Sequence, residues 1–390
     1  MDDETTSTRR AYLAGSAAVA SGLLAGCSGG EGTDTETDDG TATPADGTAT
    51  EGETESGNGD GSYTVSMEPV GDVEFDAVPE TWVANNGSYA DMGAALGKQP
   101  PEALWLASRY HTQYYDEIDG VSVDASGITD LSDDGVDKEL FYEFGADVHV
   151  IDPNFLMNRF DNWDEEDITE IEENVGPFFG NSIFSTGYGW HEDYEYYSLY
   201  EAFEKIAEMF QETERYEAFV DLHAEFQSNV EAALPAEDER PAAAVVWAAG
   251  NEPEEFSPYI IGEGTSFKHL RDLGVDDAFA DTDVRDFHSD RSTVDYETLL
   301  EVDPDVLLCR GHEAQTAAEF EDTVVSFMED HDVASDLTAV KNDDVYRGGP
   351  LYQGPITNFV VTQRMAVDLY GVDEELYDGE RVADIVNGEF

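Results

Sequence analysis

Basic residues are scarce in this chain. Lysine and arginine number 18 in 390 residues, against 89 aspartates and glutamates, for a formal net charge of −71. So negative a surface repels nucleic acid and anionic lipid, and neither is an expected partner. It also repels itself, and compaction is favoured where salt screens it: at molar salt the Debye length is about 3 Å. The acidity reads as a halophile's adaptation of its whole surface, with no meaning as a binding site.

Catalytic signatures are missing too. There is no Gly-x-Ser-x-Gly elbow, no Walker loop and no Gly-x-Gly-x-x-Gly after a strand, and Gly187-Tyr188-Gly189 is too little to define one. Paired carboxylates carry no information where acids are this frequent, so no enzyme is expected. The eight histidines, His111, His149, His191, His223, His269, His288, His312 and His331, form no His-rich loop and no paired metal-ligand spacing. His149 lies mid-strand and His223 on a helix, so both read as structural. No cofactor is expected.

The start of the chain has little apolar length. Thr8-Arg9-Arg10-Ala11-Tyr12-Leu13 precedes an uncharged stretch, residues 11–26, too short for the roughly 20 apolar residues that span a bilayer. Twin arginines, a small-residue site and Cys27 resemble a twin-arginine lipoprotein signal over residues 1–27, which implies lipidation of Cys27. The other cysteine, Cys309, then has no disulfide partner and reads as a small buried hydrophobe. Residues 28–62 are acidic and rich in Thr and Gly, and are expected to form a disordered, extended tether.

What is present is enough apolar material, 40% hydrophobic and 11% aromatic, for two domains. One stretch occurs twice. Residues 139–151 and 297–309 each open on a glutamate, run through a short apolar-periodic helix and a turn, and enter an apolar strand at Asp147-Val148 or Asp305-Val306. The spacing is identical, and the copies are too far apart for a solenoid repeat of about 20–50 residues. Two similar α/β lobes follow.

Within residues 63–212, a hairpin is expected at 63–67 and 73–75, a strand at 82–84, a helix ending at Gly97 and another over 102–110. Residues 155–195 are irregular, with Phe155, Phe160, Trp163, Phe178, Phe179, Tyr188 and Trp190 spread among acids. Over residues 213–234, Tyr216, Phe219, Val220, Phe226 and Val230 recur every three or four positions, the mark of a long amphipathic helix. Residues 235–390 then read as the second lobe, with strands at 242–248, 259–261, 306–309 and 345–347 and a last helix over 355–370. The fold class expected is α/β, two Rossmann-like lobes with mainly parallel sheets joined by one long helix.

In this order, the signal, the tether, Glu-x5-Gly-Ala-Asp-Val, the long helix, Val294-Asp295-Tyr296-Glu297 through Asp303-Pro304-Asp305-Val306, and Ala339 through Tyr346 resemble the helix-bridged substrate-binding proteins of ABC importers for ferric siderophores and cobalamin, here haloarchaeal-like. The resemblance covers residues 63–388. It implies a ligand cleft between the lobes and lipid-anchored work on the extracellular face of the membrane. It also implies an ABC permease dimer with a cytoplasmic ATPase as partner, engaged by Glu139 and Glu297. Each glutamate is equally read as a solvated acid at a helix start. A monomer, with no membrane contact beyond the anchor, is expected.

Ligands in open α/β sheets lie beyond the carboxyl ends of strands. The candidates there are Asn86, Tyr89, Arg109 and His111 in the first lobe and Trp247, Tyr259, Arg310, His312, Arg347 and Tyr352 in the second. Where bases are so few, Arg310 and Arg347 directly after buried strands point to an anionic or oxygen-rich ligand, because guanidinium suits carboxylate or hydroxamate oxygens. An iron chelate is the leading ligand. Cobalamin comes next, then bare zinc or manganese held through His111 and His312, then a lipid-anchored hydrolase or sensory domain.

Overall fold

The computed structural model describes residues 61–132, 136–191 and 193–390. The signal with Cys27 and nearly all of the tether lie outside the described residues.

Strands β1 (Tyr63–Met67) and β2 (Gly71–Phe75) form an antiparallel hairpin. The first lobe is built on β3 (Trp82–Ala84), helix α1 (Gly87–Ala95), β4 (Ala103–Leu104), β5 (Thr129–Asp130), α2 (Lys138–Phe144) and β6 (Val148–Val150). Its sheet is parallel, in the order β5-β4-β3-β6. Helices α3 (Pro153–Arg159), α4 (Glu165–Asn174) and α5 (Leu199–Phe210) follow. The helix expected over 102–110 is absent: Ala103 and Leu104 are fully buried as a strand beside β3, and the 3-10 segments Ala107–Arg109 and Thr112–Glu117 follow. Burial in the sheet overrides the local helical pattern.

Helix α6 (Thr213–Ala233) buries Phe219, Leu222, Phe226 and Val230 along one stripe. Its 21 residues rise about 1.5 Å each and lead from α5 of the first lobe to the first strand of the second. The second lobe holds β7 (Ala242–Ala248), β8 (Phe256–Tyr259), α7 (Lys268–Asp272), β9 (Asp276–Asp277), α8 (Phe287–Asp290), α9 (Tyr296–Val302) and β10 (Val306–Arg310). Then come α10 (Ala317–Phe320), α11 (Ser326–Asp330), α12 (Thr338–Lys341) and β11 (Val345–Arg347). The sheet runs β11-β10-β7-β8 with β9 also on β7, parallel except for β8. Strand β8 thus begins before the expected 259–261. Residues Val306 to Arg310 are all buried, as a central parallel strand covered on both faces requires.

The duplicated stretch folds alike in both lobes. Gly145 and Asp303 end α2 and α9 in the left-handed region, at φ 56° and 47°. Asp147 N then donates to Thr81 O, and Asp305 N to Ala242 O, each at 3.0 Å. Each carboxylate reaches back to the start of the neighbouring strand: Asp147 accepts from Glu80 N and Thr81 N at 2.9 Å, Asp305 from Ala242 N at 3.0 Å. The repeated aspartate ties two adjacent parallel strands at their entry.

Helix α13 (Pro355–Tyr370) and a further helix, α14 (Gly379–Asn387), return to pack on α1 and α6. Asp91 of α1 caps α13: its carboxylate accepts from Ile356 N at 2.8 Å and from the Tyr115 hydroxyl at 2.7 Å. Gly354 is required there, since a Cβ would stand 2.3 Å from Asp91 Oδ2. Among the described residues no helix is long and apolar enough to cross a membrane. The protein is thus α/β, with two lobes of mainly parallel sheet and one long helix between them.

Candidate functional site

Pleating decides which strand-end side chains meet. Arg310 is the register partner of Trp247 across β10 and β7, and Tyr259 on β8 pairs with Val245, two residues before Trp247. Period-two alternation therefore sends Trp247, Arg310 and Tyr259 to one face of the second sheet. That face looks at the first lobe. Arg109 comes from the turn after β4 and lies over the Trp247 indole, its guanidinium carbon 4.4 Å from the ring centroid. Tyr352, in the loop before α13, meets Phe184 edge-on at 5.4 Å.

Arg310 is fully buried at the base of this face. Its guanidinium lies 4.6 Å from the Phe267 ring and 5.6 Å from that of Tyr259, and Nη2 donates to Ser266 O. Nε and Nη1 have no hydrogen-bond partner among the described residues. Burial pulls the group down to about 10, with the Tyr259 phenol and Glu313 opposing, so it stays charged at neutral pH. A buried cation with two free donors is costly unless something anionic meets it.

Residues that the sequence reading did not single out complete the face. Tyr188, from the irregular 155–195 stretch, and Tyr259 stand on either side of His288, with ring centroids 5.5 and 5.1 Å from it. His288 Nδ1 is 3.2 Å from Asp286 Oδ1. Burial pushes the Tyr188 phenol up to about 12, with the charges of Arg291 and Arg159 opposing. Only the concentration of aromatics in 155–195 hinted at this contribution. The backbone also joins the lobes here, Thr265 N donating to Ile183 O at 2.9 Å.

The remaining candidates are placed elsewhere. Asn86 caps α1, accepting from Ser88 N at 2.9 Å, and Tyr89 exchanges hydrogen bonds with the Asn181 backbone, donating at 2.7 Å; both are fully buried inside the first lobe. His312 is buried against Phe320, with centroids 5.4 Å apart. Arg347 pairs with Cys309 rather than Arg310, so the pleat turns it to the other face. Its guanidinium donates to Gln315 O at 2.5 Å and lines a small cavity, separate from Trp247, with Tyr114 of the first lobe and Arg364 of α13.

His111 faces Glu313 across the lobes, Nε2 to Oε2, at 3.9 Å. Burial lowers the histidine to about 4 and raises the glutamate to about 7, so the contact is not an ion pair at neutral pH. Among the described residues no three His, Cys, Asp or Glu side chains come together as a metal cage. Cys309 is free and fully buried. Glu139 and Glu297 are both exposed and both occupy the second position of their helices, α2 and α9. Open pockets of about 490 Å³ beside Lys98 and about 450 Å³ beside Arg285 are lined by residues outside the Arg109–Trp247 face.

Two like lobes meeting over an arginine- and aromatic-lined face, with a rigid helix alongside, define a two-lobed α/β binding protein. Residues 150–351 match the family described as periplasmic binding protein, and the chain belongs to that family. Among solved structures it is similar to a periplasmic binding protein from Veillonella parvula, at 15% identity and TM-score 0.57 over 80% of this chain and 99% of that one. It is also similar to an ABC-type Fe3+-hydroxamate transport protein from Saccharomonospora viridis, at 19% identity and TM-score 0.52 over 79% and 99%. A third is the iron uptake ABC transporter substrate-binding protein PiuA from Streptococcus pneumoniae, at 15% identity and TM-score 0.51 over 79% and 97%. At these identities the likeness is one of fold. No curated protein sequence matches the chain.

Proposed function

We propose that this protein is the extracellular substrate-binding component of an ABC importer, capturing a ferric siderophore or similar iron chelate and delivering it to a membrane permease. The observation that carries the reading is the face between the lobes: the buried Arg310 with two free donors, Arg109 on Trp247, and Tyr188, Tyr259 and Tyr352 around them. Apolar, aromatic walls with a few fixed polar groups suit a bulky chelate, and guanidinium suits its oxygens. The names of two fold relatives, for iron uptake and Fe3+-hydroxamate transport, support the same ligand class.

The mechanism is binding without chemistry on the ligand. With Arg109 on Trp247 the lobes meet through their own side chains, so a chelate enters by parting them, and α6 and the Ile183–Thr265 bond limit the opening. Glu139 and Glu297, matched in position on α2 and α9, would present one carboxylate per lobe to basic residues of the permease. Cys27 would carry the lipid anchor.

Tryptophan fluorescence of the protein in molar KCl, titrated with a ferric chelate and with the iron-free chelator, tests the reading. Saturable quenching by the ferric form alone is expected. A response to cobalamin with none to ferric chelates would overturn it.

A further inference from the structure

Every lysine among the described residues meets an aspartate or glutamate within 4.0 Å. Seven described arginines meet none among the described residues, although acids outnumber bases about five to one. Four of the seven border the face: Arg310 lies 5.6 Å from the Tyr259 ring, Arg109 4.4 Å from that of Trp247, and Arg291 5.0 Å from that of Phe287, which meets Tyr259 at 6.1 Å, while Arg159, 5.9 Å from Trp105 and Phe160, acts with Arg291 to lower the Tyr188 phenol. They are drawn evenly from the two lobes and graded in depth: Arg310 is buried, Arg109 half-buried, and Arg159 and Arg291 exposed.

Among the described residues Asp286 and Glu313 act on the set, and both accept backbone hydrogen bonds. Asp286 accepts from Ile260 N at 2.9 Å and from His288 N at 2.8 Å, and Glu313 accepts from Gly311 N at 3.0 Å. Among the described residues the four guanidiniums outnumber these two carboxylates, which leaves net positive charge at the face. At molar salt, attraction beyond about 3 Å is screened, so such charge is useful only at contact, through N–H donors on ligand oxygens.

We propose that this face selects a multiply anionic ferric chelate over a neutral one: four guanidiniums from two lobes close on an anion, and the tyrosines pack its flat surfaces. The proposal rests on the iron-chelate reading above and adds the charge class of the ligand. The shared chemistry is anionic oxygen, from aryl or carboxylate groups.

The test is a competition series on the full chain in molar KCl. The probes are a synthetic ferric tris-catecholate, ferric citrate and a neutral ferric trihydroxamate. At least one anionic chelate is expected to bind about tenfold or more tighter than the neutral one, the scale of one charge-assisted hydrogen bond. Which anionic probe binds tighter distinguishes aryl from carboxylate oxygen. In the double variant Arg159→Gln, Arg291→Gln the ratio of anionic to neutral affinity is expected to fall towards one. Equal or tighter binding of the trihydroxamate by the parent protein would overturn the charge proposal while leaving the iron-chelate reading intact. Failure of all three chelates to bind would overturn both.

Discussion

Arg109 of the first lobe lies over Trp247 of the second, 4.4 Å from the ring centroid, so the guanidinium that a ligand would meet is parked on the indole that would line its pocket. A cation on an indole face contributes about 0.5–2 kcal/mol, depending on solvent exposure. A ligand entering between the lobes must separate the pair, which makes Trp247 the tryptophan best placed to report on binding. Of the five tryptophans, Trp82 and Trp163 are buried within the first lobe. Trp105 packs on Phe160 and Trp190 stacks on Tyr188 at 5.4 Å, so Trp247→Phe is expected to remove a large part of the ligand-induced change in emission and to leave the share that Trp190 reports. If quenching persists undiminished, the ligand does not enter at this face.

Arg310 and Arg347 each close a parallel strand, and the register separates them. Arg310 pairs with Trp247, whereas Arg347 pairs with Cys309 and its guanidinium lies in a separate small cavity with Tyr114 and Arg364. Arg310→Ala is expected to weaken chelate binding by 1 kcal/mol or more, roughly the low end for a hydrogen bond to a charged group. Arg347→Ala is expected to leave affinity within about twofold, a difference under 1 kcal/mol. Because Arg310 is buried with two unpartnered nitrogens, its removal need not destabilise the fold. Isothermal titration of both variants, with urea melts alongside, checks the contrast; equal losses of affinity would sink it.

The repeated aspartates should differ in weight. Asp147 accepts two backbone N–H groups and the Thr81 hydroxyl, while Asp305 accepts the single Ala242 N–H. Both are exposed, so water replaces part of what is lost. At about 0.5–1.5 kcal/mol net per hydrogen bond, Asp147→Ala should cost roughly 1–3 kcal/mol and Asp305→Ala about 1. Urea midpoints in molar KCl measure both, and a larger cost for Asp305→Ala would show that the ties are not what matters.

These same residues mark what was legible in the sequence. The two Glu-to-Asp copies, the α6 stripe and the buried run from Val306 to Arg310 depend on periodicity, which is local, and they carry the α/β class and its repeat. The site depends on pleat parity and on contacts between distant segments. Nothing around Arg347 reveals that it pairs with Cys309, and nothing around Tyr188 reveals His288, 100 positions later, beside it. Asn86 and Tyr89 follow a strand as a ligand residue would, yet one caps α1 and the other holds the Asn181 backbone. Cation scarcity pointed to Arg310 and equally to Arg347, while the strand-end rule pointed to Arg109, Trp247, Tyr259 and Tyr352.

Two buried titratable groups should pull stability in opposite directions with pH. His149, wedged between Phe141 and Phe178 at 4.9 and 5.2 Å, is held by burial at about 4, below its usual 6.5. Its folded pKa is depressed, so its contribution is fully present above pH 6.5 and is lost as pH falls towards 4. Asp91 is raised by burial from 3.8 to about 7, against the hydrogen bonds from Tyr115, Ile356 and Thr357 that favour its charge. Its contribution is fully present below pH 3.8 and is lost as pH rises through 7. Buried groups of both kinds offset one another in the parent protein, so the signs are read from variants. Relative to the parent, His149→Phe should gain stability as pH falls from 6.5 to 4, and Asp91→Asn should gain it as pH rises from 4 to 7. Whatever constant offset each substitution adds, the slopes should approach about 1.4 kcal/mol per pH unit. Urea titrations at pH 4.5, 5.5 and 6.5 in molar KCl resolve such slopes, and parallel pH profiles for parent and variant would show that the group does not change protonation on unfolding.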